Sequence, residues 1–508
     1  MSSPAPGSTT PVEATLDPRL LRIAAVVVLG TLMSILDTTI VNVAIKDLSR
    51  SFNAPLSTMQ WIATGYMLAL ATVIPLTGWA ADRFGTKRLY IGSIGMFLLG
   101  SALSGAAWSA GSLIVFRVLQ GLGGGMIMPA GMTILTHAAG PRRMGRVMGI
   151  VGVPMLLGPI IGPILGGWLV DDVSWRWIFF VNLPIGAIAL YAAARILDRD
   201  EPKPHHALDW RGLLMLSPGL AIFVYGLAET AAGAGLDTAG GGGAIVLGLA
   251  LVIGFVLHAR ARDGALIDVR LFARRAVGAP AFTIFLFCTA FFGVALLMPL
   301  YFQVVRGKSA FDAGMLLAAQ GVGAMLSMPI AARLTDRIGA GRVVLVGLSL
   351  VAIGMLSLSR ITGDTPLLWV ELTLFVMGLG MGSTMMPTMS AALSSTERRN
   401  VARVTAGLNV LQRVGGSIGT AVLAVVLSHQ LAAVMPVGGG GGGLSAVRAI
   451  PAGVHGQMLP ALGAAFGRTF MWSFGIVLGA LAAALFIDRA RPVAAVGQAA
   501  DKAPVIVD

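Results

Sequence analysis

Long apolar runs recur along the chain, and short polar or basic segments separate them. A helix that spans the hydrocarbon core of a bilayer needs about 20 mostly apolar residues. Runs of this length begin near Arg22, Thr58, Leu89, Ser112, Met144, Trp177, Gly212, Gly243, Val277, Asp312, Arg342, Pro366, Val404 and Thr469. The runs are continuous rather than alternating, and lipid offers no water to the backbone, so they predict helices rather than barrel strands. The pattern predicts an all-α integral membrane protein with fourteen transmembrane helices.

Composition agrees with this pattern. Of the 508 residues, 56% are hydrophobic and only 12% are charged, whereas about a quarter of a soluble domain is charged. The single cysteine, Cys288, excludes an internal disulfide and a cysteine-ligated metal centre, so no metal and no cofactor are expected. The phosphate-loop-like Gly307–Ser309 has Phe302 where that motif needs glycine. No catalytic constellation is recognisable, and the protein is not expected to be an enzyme.

The basic residues give an orientation. Most of the 36 Lys and Arg residues fall in the segments on the same side as the N terminus when the loops are numbered alternately. By the positive-inside rule, both termini are predicted to lie in the cytoplasm. The absence of recognisable eukaryotic targeting signals favours the cell (inner or plasma) membrane. The net charge of +13 is then explained by topology and by anionic membrane lipids, so a nucleic-acid partner is not expected.

Two segments of the first half of the chain recur in the second half. Gly78–Arg88 (GWAADRFGTKR) matches Ala332–Arg342 (ARLTDRIGAGR), and Gly121–Pro129 (GLGGGMIMP) matches Gly378–Pro387 (GLGMGSTMMP). Both pairs are displaced by eight spans, as two six-helix bundles separated by two extra helices require. The predicted organisation is a disordered cytoplasmic tail at 1–18, a six-helix bundle at 19–200, two extra central helices with linkers at 201–275, a second six-helix bundle at 276–488 with a long outside loop at about 429–468, and a cytoplasmic tail at 489–508.

Five short stretches carry a family resemblance. They are Leu36–Ala44 (LDTTIVNVA), Gly78–Arg88, Arg117–Gly121 (RVLQG), Gly158–Gly167 (GPIIGPILGG) and Trp175–Gly186 (WRWIFFVNLPIG). In this order they resemble the major facilitator superfamily, specifically its fourteen-spanner drug–proton antiporter branch, from about Arg22 to Ile487. The resemblance implies the major facilitator fold and a multidrug efflux transporter of the kind that gives antibiotic resistance. Lys46 departs from it, because proline is usual there.

Asp37 is the sharpest candidate site. A carboxylate in the middle of a span costs about 2.5–3.5 kcal/mol on insertion scales, so such a residue is expected to face a cavity and to have a function. Ser34, Thr38 and Asn42 recur every four residues beside it and form a polar stripe on an apolar helix. These three are candidates for the substrate cavity. The alternative is a hydrogen-bonding network that only packs helices together.

Arg117 is the expected partner of Asp37 in proton coupling. Asp37 lies 15 residues beyond Arg22, and Arg117 lies five residues beyond Ser112 on a helix that runs the opposite way. At 1.5 Å per residue, these positions coincide in depth in a core about 30 Å thick. Burial favours the neutral form of Asp37 and a neighbouring arginine favours the ionised form, so the carboxylate could load and release a proton. The alternative is a permanent structural ion pair.

The repeated loop is the candidate gate. Gly85 allows a tight turn, and an acidic side chain there can bind a helix N-terminus or basic neighbours at one end of the bundles. The resemblance implies that this loop gates transport and does not bind substrate; the alternative is an ordinary solvated loop. The gating candidates are Asp82, Arg83, Gly85 and Arg88 in the first copy and Asp336 and Arg337 in the second.

Small residues and prolines on the fifth span form the antiporter motif implied by the resemblance. Small residues every four positions let helices approach closely, and proline weakens the helical hydrogen-bond ladder. A bundle interface that rocks and a static interface both fit this pattern. The motif residues are Gly158, Pro159, Gly162, Pro163, Gly166 and Gly167.

Methionines, an aromatic residue and two polar residues complete the candidates for the substrate cavity. Methionine adapts its shape and suits promiscuous binding surfaces, although packing against lipid or core is the plainer interpretation. An arginine near mid-membrane is expected to face a cavity. The candidates are Met126, Met128, Phe285, Met385, Asn409 and Arg413.

Together these features predict a proton-coupled antiporter that exports lipophilic or cationic drugs across the cytoplasmic membrane. Its expected partners are small lipophilic substrates, protons and membrane lipids, and it is expected to act as a monomer. Three alternatives stay open. They are an exporter of a dedicated natural product or lipid, a proton symporter for uptake, and an intramembrane enzyme or channel.

Overall fold

A computed structural model shows how the chain folds. It describes residues 17–54, 56–140, 143, 147, 152, 161–162, 165–170, 172–198, 208–231, 238–262, 265–308, 310–397, 400–433 and 452–488. Within these residues the regular secondary structure is helical throughout. Residues 1–16 of the predicted N-terminal tail, the predicted C-terminal tail, most of the fifth predicted span and the centre of the loop at 429–468 lie outside the described residues, and α1 begins within the predicted tail, at Pro18.

The described part of the first half is helical, with helices of 4 to 34 residues. They are α1 (Pro18–Ser51), α2 (Leu56–Val73), α3 (Thr77–Phe84), α4 (Thr86–Gly105), α5 (Ala110–Ala139), α6 (Trp177–Phe180) and α7 (Asn182–Ile196). A 3₁₀ turn, Ile74–Leu76, joins α2 to α3, so that α2 and α3 form the second predicted span.

The remainder of the described chain, comprising the two central helices and the second half, is helical as well. Its helices are α8 (Trp210–Ala231), α9 (Ala244–Ala261), α10 (Val269–Ala273), α11 (Arg275–Leu300), α12 (Ala310–Ile338), α13 (Ala340–Leu358), α14 (Leu367–Gly382), α15 (Met385–Ser394), α16 (Val401–Ala432) and α17 (Ala452–Ala484). Single π-helical turns, Ala239–Gly243 and Tyr301–Val305, precede α9 and follow α11.

Twelve helices in the described part of the chain are long and apolar enough to cross a membrane, and each coincides with one of the fourteen predicted spans. The third predicted span is the 20-residue helix α4. It is less apolar than the twelve, because Lys87 and Arg88 lie in its first turn and serines and glycines interrupt it. The fifth predicted span, from about Met144, lies mostly outside the described residues.

The packing of the two halves repeats as the sequence repeats. In the first half α5 packs against both α2 and α4, and in the second half α14 packs against both α12 and α13. These are the second, third and fourth predicted spans and their counterparts eight spans later. The two loop copies also share one backbone conformation, with φ +85° and ψ 146° at Gly85 and φ +90° and ψ 146° at Gly339. The two halves therefore share helix packing and turn geometry.

Helices α8 and α9 form a pair beside the seam between the halves. They pack against each other, and α8 also packs against α2 of the first half and α16 of the second. The Ser217 hydroxyl on α8 donates a hydrogen bond of 2.5 Å to the Thr72 carbonyl on α2. The pair is thus attached to both halves, in keeping with its place between them in the sequence.

Asp209 ties this helix pair to the linker that follows it. Its carboxylate is buried at the start of α8 and accepts hydrogen bonds from the Gly212 and Leu266 amides at 3.1 and 3.4 Å, and it lies 2.9 Å from Nε2 of His258 on α9. Burial alone would raise the pKa of Asp209, but the Gly212 amide, His258 and the Leu266 amide together hold that pKa below its ordinary value. The ionised carboxylate therefore stabilises this corner of the fold.

We expect Asp209→Asn to lower the free energy of unfolding by about 2 kcal/mol near neutral pH, because hydrogen bonds to a charged group are lost. Since the pKa of Asp209 is lowered on folding, its contribution is complete above the unfolded value of about 3.9 and is lost as the pH falls through the folded value. Thermal unfolding of the purified protein in detergent over a pH series measures the difference. The exposed Asp198, paired with Arg19, provides the control Asp198→Asn, which should change little. Equal effects of the two substitutions would contradict this role.

The positive φ of Gly85 and Gly339 leads to a second prediction. At these dihedral angles a side chain costs roughly 1–3 kcal/mol, so Gly85→Ala and Gly339→Ala should each lower the midpoint of thermal unfolding. The control is Gly92→Ala on α4, because a Cβ added at Gly92 meets no atom within 4 Å. That substitution should be neutral or slightly stabilising. Similar midpoints for all three variants would exclude backbone strain at the two turns.

Candidate functional site

A buried ion pair lies between the first and fourth predicted spans. Nη1 of Arg117 donates to Oδ2 of Asp37 at 2.6 Å, and their side chains are 1% and 0% exposed. α1 contributes the acid, and α5, which begins with a capping box between Ser109 and Ser112, contributes the base. The structure therefore brings together the two residues that the depth argument placed at one level.

Two further side chains complete the network, and the sequence reasoning missed both. Nε2 of Gln120 donates to Oδ1 of Asp37 at 2.8 Å, while Oε1 of Gln120 accepts from Arg117 at 2.7 Å. Nδ2 of Asn182 donates to the same Oδ1 at 3.1 Å. Each had a signal in the sequence. Gln120 lies one helical turn after Arg117, and Asn182 is the polar residue in the apolar stretch FFVNLP.

Aromatic rings and a carbonyl surround the remainder of the guanidinium. The ring centroids of Tyr66 and Phe179 lie 4.0 and 5.7 Å from Cζ of Arg117, and its Nε donates to the Ile62 carbonyl at 3.4 Å. Cation–π contacts of this kind strengthen when water is excluded. The cation is therefore fully coordinated by protein, as a buried charge requires.

The polar stripe on α1 is only partly involved. Ser34 and Thr38 are half-buried and lie on the side of α1 near the Tyr66 hydroxyl, which is buried without a hydrogen-bond partner among the described residues. The Thr38 hydroxyl donates to the Ser34 carbonyl at 3.0 Å, within the helix. The side chain of Asn42 lies outside what the structure describes. The stripe thus lies beside Tyr66, but no described hydrogen bond joins it to the ion pair.

The first loop copy makes contact with the other half of the protein. Nη2 of Arg403, in the first turn of α16, lies 3.3 Å from Oδ2 of Asp82, and a Cβ on Gly78 would come within 3.3 Å of the Arg403 Cα. Arg83 and Arg88 are exposed. The basic neighbour expected for Asp82 is therefore Arg403, and the contact closes one end of the seam between the halves.

The second loop copy contacts its own half instead. Gly341 donates its amide to the Asp488 carbonyl at 3.3 Å beyond α17, and Arg342 binds the Ile338 carbonyl at 3.2 Å. Arg337 is exposed and Asp336 is half-buried. The two copies share a backbone conformation, and the contacts named here differ: Asp82 meets a residue of the opposite half, whereas Gly341 and Arg342 meet residues of their own half.

Two glycines of the fifth span face α1, the helix that carries Asp37. A Cβ on Gly162 would overlap the Thr39 hydroxyl, and a Cβ on Gly166 would lie 3.2 Å from the Ile40 carbonyl. Gly167 faces open space, and Gly158, Pro159 and Pro163 lie outside the described residues. The glycines thus permit close packing two to three residues from Asp37.

The remaining candidates for the substrate cavity are dispersed. Met126, Met128, Phe285 and Met385 are half-buried. Asn409 is buried and donates to the Thr405 carbonyl of its own helix at 2.8 Å. Arg413 is exposed and lines a small apolar cavity with side chains of α2, α8 and α16, with Tyr66 within electrostatic range. Arg413 thus lies where α2, α8 and α16 meet.

No group of three or more metal-ligating side chains occurs among the residues that the structure describes. The strongest arrangement is the buried carboxylate, its guanidinium partner and two amides. This arrangement can hold a negative charge or exchange it for a proton.

Comparison with known proteins gives a consistent result. The profile of the Major Facilitator Superfamily matches residues 27–420. The Multidrug resistance protein B homolog of Mycobacterium tuberculosis is 42% identical over 493 residues, which are 93% of this chain and 91% of that protein. The Tetracenomycin C resistance and export protein of Streptomyces glaucescens is 32% identical, covering 82% and 77%. The Multidrug export protein EmrB of Haemophilus influenzae is 31% identical, covering 78% of each.

Solved structures resemble the overall fold. The human organic anion transporter MFSD10 (TETRAN) has a TM-score of 0.61 at 16% identity, covering 91% of this chain and all of that chain. The proton:xylose symporter XylE has a TM-score of 0.58 at 14% identity, covering 91% and 95%. At these identities the likeness concerns the fold alone.

The Asp82–Arg403 contact leads to a third prediction. Asp82→Arg should lower the unfolding midpoint, because two cations would face each other beside the positive N-terminus of α16. The double swap Asp82→Arg with Arg403→Asp should restore it, with a coupling energy of about 1 kcal/mol in a double-mutant cycle. The same swap at the exposed Arg19 and Asp198 is the matched control. Additive effects at positions 82 and 403 would show that the pair contributes nothing to closure.

Proposed function

The chain belongs to the Major Facilitator Superfamily, and on that premise we propose that it is a proton-coupled antiporter that exports lipophilic or cationic drugs across the cytoplasmic membrane. Relatives named for multidrug resistance and multidrug export, at 42% and 31% identity, support the drug substrates. The proton coupling is our inference from the network around Asp37.

One observation carries the proposal. Asp37 is the only acidic side chain that is fully buried within a spanning helix in the described part of the chain. Burying a carboxylate in that position is costly for the fold. A permanent ion pair would offset that cost only through helix packing. Burial favours the neutral form of a carboxyl group and a neighbouring guanidinium favours the ionised form, and the proposed cycle uses both forms of Asp37.

In the proposed cycle, Asp37 takes up a proton from the outside and its attraction to Arg117 weakens. The bundles then tilt, the proton leaves to the cytoplasm, and the substrate leaves in the opposite direction. A proton moving through 100 mV supplies about 2.3 kcal/mol, and each pH unit adds about 1.4 kcal/mol. One proton per cycle could therefore sustain a substrate gradient of tens- to hundredfold.

The arrangement of the bundles fits alternating access. In the proposed topology both termini are cytoplasmic, fourteen helices span the membrane, and α8 and α9 are the extra pair between bundles at 19–200 and 276–488. Asp82 and Arg403 then hold the cytoplasmic end closed, with Arg83, Gly85 and Arg88 shaping the same loop. Asp336 and Arg337 belong to the matching loop, which anchors its own bundle.

The proposed substrate cavity lies between the bundles and beside the ion pair. Half-buried methionines give it an adaptable wall, and Arg413 gives it a cation whose described surroundings are largely apolar. The residues proposed to line it are Ser34, Thr38, Asn42, Met126, Met128, Phe285, Met385, Asn409 and Arg413. The transporter is proposed to work as a monomer, embedded in membrane lipids.

A second candidate is export of one dedicated natural product. It is favoured by the 32% identity to a protein named for tetracenomycin C resistance and export. A panel of structurally unrelated dyes and antibiotics separates the two: several transported compounds support multidrug export, and a single transported class supports a dedicated exporter.

The proposed function predicts that Asp37→Asn abolishes efflux driven by a pH gradient, because an amide cannot take up a proton. The assay uses proteoliposomes with an imposed pH gradient and a panel of lipophilic dyes. The matched control is Asp47→Asn on the same helix, where the carboxylate is 38% exposed and lies 3.7 Å from Arg50. It should transport at close to the original rate. Gel filtration of each purified variant tests that it is folded.

Undiminished efflux by folded Asp37→Asn would refute proton coupling through this residue. Efflux by the original protein that is the same with and without a pH gradient would refute antiport altogether.

A further inference from the structure

Asn182 lies at a break between two helices and reaches the ion pair from a third direction. α6 ends at Phe180, α7 begins at Asn182, and the side chain of Asn182 is fully buried. Nδ2 donates to Oδ1 of Asp37 and to the Ser101 hydroxyl oxygen, both at 3.1 Å. The amide therefore connects α1 to α4.

Ser101 holds this break in place. Its hydroxyl donates to the Phe179 carbonyl at 2.8 Å, and the Phe179 ring is one of the two that face Arg117. Ser101 thus holds one side of the Asn182 amide. The backbone at the break between α6 and α7 directs that amide toward the carboxylate of Asp37.

The hydrogen bonds around Asp37 are those of an ionised carboxylate. Arg117, Gln120 and Asn182 all donate to its two oxygens, and an ionised carboxylate can only accept. Once Asp37 binds a proton, one of its oxygens becomes a donor and needs an acceptor. An unmade hydrogen bond in a buried site costs about 1–3 kcal/mol.

The acceptors within reach are few. Oε1 of Gln120 already accepts from Arg117. Oδ1 of Asn182 is buried and has no hydrogen-bond partner among the residues that the structure describes. A half-turn of the amide about its last bond exchanges donor for acceptor without changing its volume, and the Ser101 hydroxyl can then donate to Oδ1 in place of the Phe179 carbonyl. Asn182 can therefore serve both forms of Asp37, whereas Gln120 cannot do so without releasing Arg117.

We propose that Asn182 is the positioning residue for the proton on Asp37, donating to the carboxylate and accepting from the carboxylic acid. This rests on the proposed antiport. The proton comes from outside water, its new bond forms to an oxygen of Asp37, and that O–H then donates to Oδ1 of Asn182. On release, the O–H bond breaks toward cytoplasmic water and Nδ2 returns to the carboxylate.

The charged and titratable groups described near Asp37 lie on the helices packed against α1, and the described fifth-span residues beside it, Gly162 and Gly166, carry no charge. Arg117 faces it from α5, and the Tyr66 phenol lies near it from α2. α6 and α7 contribute Phe179 and the uncharged Asn182. A shift in pH dependence on changing Asn182 therefore reports on the carboxylate and its immediate partners.

Two substitutions test the proposal in the proteoliposome assay. Asn182→Leu keeps most of the volume but neither donates nor accepts, so the maximal efflux rate should fall by at least about tenfold with the KM for the dye unchanged. Asn182→Asp can share one proton with Asp37, so efflux should persist with its pH profile displaced by about one unit or more toward alkaline pH. A purely structural amide would leave the rate and pH profile of folded Asn182→Leu as in the original protein, and that result would overturn the proposal.

Ser101→Ala provides a test if Asn182→Leu does not fold. It frees one side of the amide, so the pH profile should shift while the protein stays active. Its control is Ser104→Ala, one turn further along α4, where the buried hydroxyl has no described partner and no shift is expected. Unshifted profiles in both would overturn the proposal. The same experiment measures the original protein. If that protein shows no proton-driven efflux, the proposed function itself is refuted.

Discussion

The contact between Asp37 and Arg117 is the constraint around which the first half is built. Two opposite charges removed from water stabilise a fold only when their remaining hydrogen-bonding groups are also satisfied. Gln120, Asn182, two aromatic rings and a backbone carbonyl supply those partners. Four of the first six predicted spans therefore meet at one point, and their relative positions are fixed by polar contacts as well as by apolar packing.

Much of the fold could be predicted from the sequence because a bilayer imposes simple rules on length and apolar content. The apolar runs located the helices, and the repeated motifs located equivalent helices in the two halves. Depth along two antiparallel helices of known rise allowed a contact of Asp37 with Arg117 without proving it, and the structure shows that contact. Helix α4 shows that basic and small residues can make a regular 20-residue helix less apolar than its neighbours.

Other features depend on which face of each helix turns inward, and one sequence does not reveal this. Gln120 and Asn182 were visible as polar residues in apolar stretches, but only the packing of α5 and α7 against α1 shows that they share the carboxylate. The two loop copies look equivalent in sequence, yet Gly341 and Arg342 meet residues of their own half, whereas Asp82 meets a residue of the opposite half. The partner, Arg403, lies 321 residues away, and no local pattern connects them.

The glycines that press the fifth span against α1 have a consequence for evolution. At Gly162 even a methyl group would collide with Thr39, so single substitutions there must displace a backbone and are expected to be purged. Half-buried methionines such as Met126 and Met385 can be exchanged with little rearrangement. Substitutions are therefore expected to accumulate at these methionines rather than at the glycines packed against the helix that carries Asp37. Changes at the methionines can then alter the surface they form while the residues around Asp37 stay the same.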